Sequence, residues 1–450
     1  MAMIDLDSRD RAQKVILVGV DLPSRFGEET GGDCDLDELA RLVTTAGGEV
    51  HGEIRQRRDR PAPRTFIGKG KVEELQATVN HTEATLVVFD NDLSPAQGRN
   101  LEKILNGGET QPDKPGDAGK VSVIDRTELI LDIFASHART RQARLQVELA
   151  QLQYMLPRLT KLWSHLERQA GGIGTRGPGE TQLETDRRIV GKRLSKLKRE
   201  LADVAADLKT QSRRRGDQYT AVLVGYTNAG KSTFLRGLTD ADVLVEDKLF
   251  ATLDTTTRRI EVDERRRLLV SDTVGFIRRL PHNLVESFRA TLTEVQEADL
   301  LLHVVDASHD DPEHQIASVE VVLRELIDED RDMLMIFNKM DALSPERAEI
   351  VRNRMGRLFP GSIFVSALSD EGIAEVRRAL VDRLLSRETI VRISVPYTRM
   401  DLVSVFHRTG SVLEEQHGED GMVLAVRLKA DELSRLIDRE PDVQILDRKN

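Results

Sequence analysis

The chain has 450 residues, 39% of them hydrophobic, and a formal net charge of −10. This length suits about three domains and a sizeable core, and the acidic balance by itself argues against a nucleic-acid partner. The single cysteine, Cys34, excludes an intrachain disulfide and favours a reducing compartment. We find no signal peptide and no apolar run of about 18 residues, which predicts a soluble intracellular protein without a transmembrane segment.

Residues 1–136 are predicted to form a small α/β domain. Continuous apolar runs indicate buried strands, and runs with helical spacing alternate with them, which predicts a parallel sheet. The expected strands are 14–20, 50–54 and 86–89, and the expected helices are 37–45 and 93–105. The glycine- and lysine-containing segment 68–71 lacks the spacing of a phosphate-binding loop, so a plain turn is favoured over a phosphate site.

Residues 137–215 are predicted to form an antiparallel coiled-coil hairpin. Two apolar seams repeat with spacings of three and four, between Leu145 and Leu166 and between Val190 and Leu208. Pro157 should bend the first arm. Residues 137–200 contain fourteen Lys or Arg and six Asp or Glu, a local charge of +8 on an acidic protein. This contrast indicates a surface that faces a polyanion, and a solvated helix face is the alternative.

The segment Gln169–Thr181 between the two seams is rich in glycine and is predicted to be a non-helical tip. Its lack of side chains would let the backbone approach another backbone, and its arginine can pair with phosphate or stack on a base. A flexible connector is the alternative. The residues expected to contact RNA are Gly172, Gly174, Arg176, Gly177 and Gly179.

The stretch Tyr219–Ser232 contains a phosphate-binding loop. An apolar run leads into Gly-x-x-x-x-Gly-Lys-Ser, and helical spacing follows, which is the context that this pattern requires. Loop N–H groups can point at phosphate oxygens, Lys231 can reach the β- and γ-phosphates, and the Ser232 hydroxyl can bind Mg²⁺. The expected nucleotide contacts are Gly225, Tyr226, Thr227, Asn228, Ala229, Gly230, Lys231 and Ser232.

Two later segments are predicted to sense the γ-phosphate. Thr252 is our choice for a second Mg²⁺ ligand, with Thr256 second, and Asp272 at the end of an apolar strand would hold Mg²⁺ through water. The N–H of Gly275 can contact the γ-phosphate. The further nucleotide contacts are Phe250, Ala251, Thr252, Leu253, Asp254, Asp272, Thr273, Val274 and Gly275. The predicted catalytic residues are Lys231, Thr252 and Gly275, and the predicted metal ligands are Ser232, Thr252 and Asp272.

The base is predicted to be guanine. The Asp341 carboxylate can accept hydrogen bonds from guanine N1–H and the 2-amino group, whereas adenine presents an acceptor at N1. Unpaired polar groups would penalise the wrong base. The base pocket is expected to use Asn338, Lys339, Met340 and Asp341, with Ser366, Ala367 and Leu368 closing it through backbone N–H groups. Together these segments predict a nucleotide domain over residues 216–388 with GTP as substrate and GDP as product.

Phe276 follows the Asp-Thr-Val-Gly segment at the position where Ras-type GTPases have glutamine to orient the attacking water. Phenylalanine has no donor or acceptor there. We therefore predict slow intrinsic hydrolysis, with the missing positioning supplied by a partner or by another loop. Residues 389–450 are predicted to be a small α+β module, with a last helix at 430–436, and they offer no chemistry of their own.

The chain resembles the HflX family of translation-associated GTPases. The likeness is carried by segments 65–75, 171–188, 225–232, 250–258 and 272–295, which lie within residues 1–388. Thr255 stands where the family pattern usually has proline, and the C-terminal module is variable in the family.

The resemblance implies a Mg²⁺-dependent GTPase that binds the large ribosomal subunit and separates ribosomal subunits during stress or stalling. It also implies that ribosomes stimulate hydrolysis and that the glycine-rich tip contacts ribosomal RNA near the peptidyl-transferase region. A cytoplasmic monomer is expected, with peripheral membrane association left open. Two alternatives remain: a GTPase of subunit assembly or RNA modification, and an RNA chaperone in which nucleotide is only structural.

Overall fold

The structure is a computed structural model of the chain. It describes residues 13–23, 36–107, 120–162, 178–213, 219–239, 249–250, 253, 256–261, 267–278, 293–327, 331–385, 388–409, 411–418, 420–429 and 444–449. In these residues it contains three sheets and a pair of long helices, and the predicted α/β class with a P-loop domain is confirmed.

The N-terminal sheet is parallel, as predicted, with strand order β2-β1-β3-β4. Its strands are β1 Lys14–Asp21, β2 Glu49–Arg57, β3 Leu86–Phe89 and β4 Ser122–Asp125, and its helices are α1 Leu36–Thr45, α2 Lys69–Thr82, α3 Pro95–Leu105 and α4 Arg126–His137. The two central strands, β1 and β3, are continuous apolar runs because helices cover both faces of the sheet, whereas the edge strand β2 is largely polar. Ser94 and Gln97 form a capping box at the start of α3.

The prediction of a plain turn at 68–71 is wrong, because α2 begins at Lys69. Gly68 is the residue before the helix, and its N–H donates to Gln56 Oε1 at 2.9 Å. Val72, Leu75 and Val79 give α2 a buried stripe against the sheet. The first turn of α2 contains two lysines and Gly70, a composition that is typical of turns, and for this reason the sequence did not indicate a helix start.

Two long helices follow, α5 Arg141–Leu162 and α6 Pro178–Arg213. They run antiparallel, since Arg193 pairs with Glu148 at 2.6 Å and Arg141 pairs with Glu200 at 4.0 Å. Leucines from both helices pack together in one cluster, namely Leu145, Leu149, Leu152, Leu194, Leu197 and Leu201. Supercoiling of the pair and a bend at Pro157 stay predictions.

The tip was predicted to extend to Thr181, and this is wrong for its last residues, which belong to α6. A proline at the first helical position is favourable because its missing N–H would have no partner there, and α6 begins at Pro178. Gly179 therefore lies in the first turn of a helix. The other predicted RNA contacts lie outside the described residues, namely Gly172, Gly174, Arg176 and Gly177.

The base of the hairpin packs against the N-terminal domain. Ala143, Val147, Ala150 and Tyr154 of α5 belong to the same buried cluster as the sheet and α4. The Tyr154 hydroxyl donates to Asp125 Oδ1 at 2.7 Å. These contacts make residues 143–154 of α5 part of the N-terminal core.

The nucleotide domain has a sheet of order β10-β9-β8-β5-β7-β6, in which only β6 is antiparallel to its neighbour. Its strands are β5 Tyr219–Gly225, β6 Thr256–Glu261, β7 Arg267–Asp272, β8 Leu300–Asp306, β9 Met333–Asn338 and β10 Ile363–Phe364. Its helices are α7 Lys231–Thr239, α8 Thr293–Glu297, α9 Pro312–Leu326, α10 Pro345–Leu358 and α11 Asp370–Leu385, with a 3₁₀ turn at Met340–Ala342. The predicted segments 225–232, 272–275, 338–341 and 366–368 lie at the carboxyl ends of β5, β7, β9 and β10, where ligands bind in open α/β sheets.

The C-terminal module is an antiparallel sheet of order β12-β13-β11-β14. It contains β11 Glu388–Pro396, a 3₁₀ turn at Tyr397–Arg399, α12 Asp401–Thr409, β12 Ser411–His417, β13 Gly421–Lys429 and β14 Gln444–Lys449. Leu402 and Phe406 of α12 pack on the inner face of the sheet. The helix predicted at 430–436 lies outside the described residues. In the part of the chain that the structure describes, no helix has the length and apolar character needed to cross a bilayer.

Candidate nucleotide-binding site

The phosphate-binding loop has a backbone that requires its two glycines. Gly225 has φ +146°, and a Cβ there would lie 2.2 Å from the carbonyl oxygen of Val304. Gly230 has φ +100°, and its Cβ would lie 2.2 Å from Asn338 Nδ2. Because any side chain would collide at both positions, the loop can follow this path only with glycine. Helix α7 begins directly after the second glycine, at Lys231.

Lys231 lies buried at the centre of the loop. Its Nζ donates to the carbonyl oxygens of Gly225 at 3.2 Å and Tyr226 at 2.8 Å. Burial lowers the pKa of this ammonium group to about 8, although the nearby Asp272 carboxylate opposes the shift. A Cβ on Gly275 would lie 2.9 Å from Nζ, so the Asp-Thr-Val-Gly segment passes directly over the lysine.

Ser232 and Asp272 bring two oxygens together beside this lysine. The Ser232 hydroxyl donates to Asp272 Oδ2 at 2.6 Å, and Asp272 is fully buried at the end of β7. Thr273 holds the adjacent backbone because its hydroxyl donates to the carbonyl of Leu223 at 2.7 Å. A hydroxyl and a carboxylate are the hard oxygen ligands that Mg²⁺ prefers, so this pair fits a magnesium ion.

The segment after Asp272 joins the phosphate-binding loop through its backbone. The N–H of Thr227 donates to the carbonyl of Phe276 at 2.7 Å, and the N–H of Phe276 donates to the carbonyl of Gly225 at 3.1 Å. The Phe276 side chain is 3% exposed and packs with Val222 and Val295 in the core. Its ring therefore points away from the phosphate side.

The predicted base-reading residues also meet. The Asn338 side chain is buried, donates to the carbonyl of Ala229 at 2.8 Å and accepts from the N–H of Ala367 at 2.8 Å. One side chain thus ties the phosphate-binding loop to the Ser366–Leu368 loop. Asp341 is exposed and Met340 is buried, while Leu368 is 78% exposed.

Phe250 and Leu253, from the segment predicted to sense the γ-phosphate, are buried in the core cluster of the N-terminal domain. The Phe250 ring makes an edge contact with Phe134, with 4.7 Å between ring centroids, and its N–H donates to the Thr227 hydroxyl at 3.0 Å. The predicted contacts Ala251, Thr252 and Asp254 lie outside the described residues. The second choice, Thr256, pairs in register with Asp272 at the edge of the sheet.

Sequence patterns did not identify the partners that Tyr226 has in the N-terminal domain. Tyr226 of the phosphate-binding loop donates its hydroxyl to Glu38 of α1 and accepts from the N–H of Arg278 at 2.7 Å. Arg126 is buried between Glu38 and Asp90, with Nη1 at 2.7 Å from the Asp90 carboxylate. Burial raises the pKa of the Tyr226 hydroxyl, and the Glu38 charge raises it further. The signal was missing because Glu38 and Tyr226 are 188 positions apart in the chain.

Comparison with known proteins identifies the family. The model described as GTP-binding GTPase N-terminal matches residues 33–135, GTP-binding GTPase Middle Region matches 137–215, and 50S ribosome-binding GTPase matches 220–339. The GTPase HflX of Magnetococcus marinus is 45% identical over 408 residues, which cover 89% of each chain. The GTPase HflX of Escherichia coli is 43% identical over 410 residues, covering 90% of this chain and 92% of that one.

The chain belongs to the HflX family of GTPases. It is accordingly a GTP hydrolase with a P-loop domain, and it binds guanine nucleotides. Among solved structures, a GTP-binding protein from the archaeon Sulfolobus solfataricus in complex with GDP is similar over 82% of this chain and 98% of that chain. It is 22% identical, with a TM-score of 0.42.

Proposed function

We propose that this HflX-family GTPase binds the large ribosomal subunit in the cytoplasm and separates ribosomal subunits, and that hydrolysis releases it. The observation that carries the proposal is a basic hairpin attached to a nucleotide-sensing domain. The hairpin leaves six cations along α6 exposed to solvent, namely Arg187, Arg188, Lys192, Lys196, Lys198 and Arg199. The family model over residues 220–339, described as a 50S ribosome-binding GTPase, supports the choice of partner.

The charge of α6 favours RNA as the surface that it meets. Exposed Lys and Arg release counterions from a phosphate backbone, and this gain does not depend on base sequence. Only Arg193 among the neighbouring cations makes a bidentate pair with a carboxylate, that of Glu148, in the part of α6 whose side chains the structure describes. The remaining cations are arranged along a rod, which suits a groove in a ribonucleoprotein.

The site residues divide into phosphate and base groups. Lys231 would bind the β- and γ-phosphates, Gly275 would donate its N–H to the γ-phosphate, and Asp341 would read the guanine edge. Ser232 and Asp272, with Thr252, would hold Mg²⁺, which neutralises developing charge on the phosphates when it is bound.

Hydrolysis by the isolated protein is proposed to be slow. The Phe276 ring is buried in the core, so no side chain at that position can orient a water molecule. The ribosome, or another loop of this chain, would supply the missing group. Stimulation by ribosomes is therefore part of the proposal, because the family's partner would complete an otherwise incomplete hydrolytic site.

A sucrose-gradient experiment tests the proposal. Intact ribosomes are incubated with the protein and GTP, and we expect them to shift into separate subunits, with no shift in the presence of GDP. Replacing three α6 cations together, Arg187→Glu, Arg188→Glu and Lys192→Glu, should abolish the shift. The matched control replaces three exposed arginines of the nucleotide domain, Arg352→Glu, Arg357→Glu and Arg378→Glu. Intact ribosomes with every nucleotide, or equal loss in both triple variants, would contradict the proposal.

A further inference from the structure

Lys339, the second residue of the base-reading segment, has an unusual backbone. Its φ is +62° and its ψ is +32°, in the left-handed region that residues with a side chain rarely adopt. This conformation costs on the order of 1–2 kcal/mol for an L-residue. Something in the surroundings must therefore hold the lysine in place.

A carboxylate holds its side chain. Lys339 Nζ lies 2.7 Å from Asp306 Oδ2, and these side chains are 31% and 16% exposed. Asp306 is the last residue of β8, directly opposite Asn338 in the parallel register with β9. An ion pair that is largely shielded from water at a strand end is less screened than one on an open surface.

The carboxylate of Asp306 is also oriented by hydrogen bonds from Ser308. Its second oxygen, Oδ1, accepts from the N–H of Ser308 at 3.0 Å and from the Ser308 hydroxyl at 2.6 Å. The backbone adds a further link, since the N–H of Ala307 donates to the carbonyl of Asn338 at 2.9 Å. The loop 306–308 is therefore a rigid support placed against the base-reading segment.

We propose that Asp306 is a positioning residue for guanine-nucleotide binding, which acts by fixing Lys339 so that the lysine stem forms a wall of the base pocket. This inference rests on the proposed role of the Asn338–Asp341 segment in reading the base. A lysine side chain loses up to about 2 kcal/mol of rotamer entropy when it is immobilised. The ion pair with Asp306 would immobilise the lysine already in the free protein, so nucleotide binding would lose no further entropy from this side chain.

The proposal separates binding from hydrolysis. The side-chain contacts of Asp306 go to Lys339 and Ser308 in the part of the chain that the structure describes. The residues proposed to contact the phosphates, Lys231, Ser232 and Gly275, lie beside other strands. Loss of Asp306 should therefore weaken nucleotide affinity and leave the chemical step unchanged. Loss of a residue that only stabilised the fold would lower both the nucleotide affinity and kcat, or would change neither.

The test measures the Kd of a fluorescent GDP analogue together with the KM and kcat for GTP. Asp306→Asn keeps the shape and removes the charge, and we expect Kd and KM to rise about 5- to 20-fold, with kcat within twofold. Asp306→Glu keeps the charge and should recover part of the affinity. The matched control is Asp310→Asn, just after this loop. Asp310 is a 92%-exposed carboxylate paired with Arg347, and its replacement should leave Kd, KM and kcat unchanged.

A double-mutant cycle shows whether Asp306 acts through the lysine. In a Lys339→Met background, Asp306→Asn should have no further effect on Kd. Unchanged affinity in Asp306→Asn, an equal loss in both backgrounds, or a parallel fall in kcat would overturn the inference. Should Asp306→Asn fail to fold, Ser308→Ala removes the hydrogen bond from the Ser308 hydroxyl to Asp306. The double-mutant cycle is then measured with Ser308→Ala and Lys339→Met, and a smaller rise in Kd is expected. If the unaltered protein bound ADP as tightly as GDP, the proposed base-reading role of the Asn338–Asp341 segment would fail instead.

Discussion

The phosphate side of the nucleotide site is tied to the N-terminal domain, whereas the base side is closed within the nucleotide domain. On the phosphate side, Tyr226 reaches Glu38, and Phe250 lies in the N-terminal core. On the base side, Asn338 contacts Ala229 and Ala367, which belong to its own domain. The difference fits the division of labour that we propose, in which the base side would anchor the nucleotide and the phosphate side would pass its state to a second domain.

Breaking the buried charge network should have the largest effect. Arg126→Leu would leave the carboxylates of Glu38 and Asp90 buried without their guanidinium partner. We expect a loss of about 3–5 kcal/mol in the free energy of unfolding, measured by chemical denaturation of the N-terminal domain within the full chain.

The control for this change is an exposed pair on the base side. Arg347→Leu breaks the surface contact with Asp310 and should leave the free energy of unfolding nearly unchanged, because solvent screens an exposed pair. Equal losses in the two variants would mean that the network does not distinguish the two sides of the site.

The next largest effect is expected at the centre of the phosphate side. Lys231→Ala removes the buried cation and should lower kcat about 10²- to 10³-fold in a phosphate-release assay. Lys192→Ala on the exposed face of α6 should leave the rate of the isolated protein unchanged. A Lys231→Ala protein that still hydrolyses GTP at the original rate would remove this residue from the mechanism.

On the base side, a single change should exchange one base for another. Asp341→Asn replaces a pure acceptor by a group that also donates, so it cannot accept both guanine hydrogen bonds. GDP affinity should fall about 100-fold, while xanthosine diphosphate, which has an oxygen in place of the 2-amino group, should bind more tightly than GDP. The measurement is competition against a fluorescent GDP analogue, and weakened binding of both bases without selectivity would contradict the predicted role of Asp341.

The smallest expected effect is a proton taken up on binding. The pKa of Lys231 is about 8 in the folded protein, so part of this group is neutral at pH 8.5, and the anionic phosphates would restore its charge. Calorimetry of GDP binding in two buffers of different ionisation enthalpy should show uptake of a fraction of a proton at pH 8.5 and none from this group at pH 6.5. Lys231→Arg, which stays charged, should show no uptake at either pH.

The same pKa sets a pH dependence of stability. Between the folded pKa of about 8 and the ordinary value of 10.5, the unfolded chain binds more protons than the folded one. The contribution of Lys231 to stability therefore rises with pH across this window. If the heats of GDP binding were equal in both buffers at pH 8.5, Lys231 would be fully charged in the free protein. This result would contradict both the proton uptake and the pH dependence of stability.

Much of the fold was predictable where short segments carry their own geometry. The run from β5 through Gly225 to Lys231 contains a strand, a glycine turn and a helix start, so its structure follows from neighbouring residues. Asp272 and Asn338 each end an apolar strand, and parallel strands bring such ends together. This is why the phosphate and base motifs meet as predicted.

The rest depends on packing between distant parts of the chain. Nothing next to Glu38 or Arg126 in sequence indicates that they are buried against each other, because their burial depends on how the N-terminal domain meets the phosphate side. The partnership of Asp306 with Lys339 likewise requires the pairing of β8 with β9. Strand β14, with the polar sequence QILDRK, was missed because it lies at the edge of its sheet.

Binding of the protein to purified large ribosomal subunits with different nucleotides tests the central claim most directly. The claim is that the phosphate side controls an RNA-binding hairpin. In a pelleting assay, the protein should sediment with large subunits when it carries a non-hydrolysable GTP analogue and remain in the supernatant with GDP. Equal sedimentation with both nucleotides, or none with either, would contradict the account.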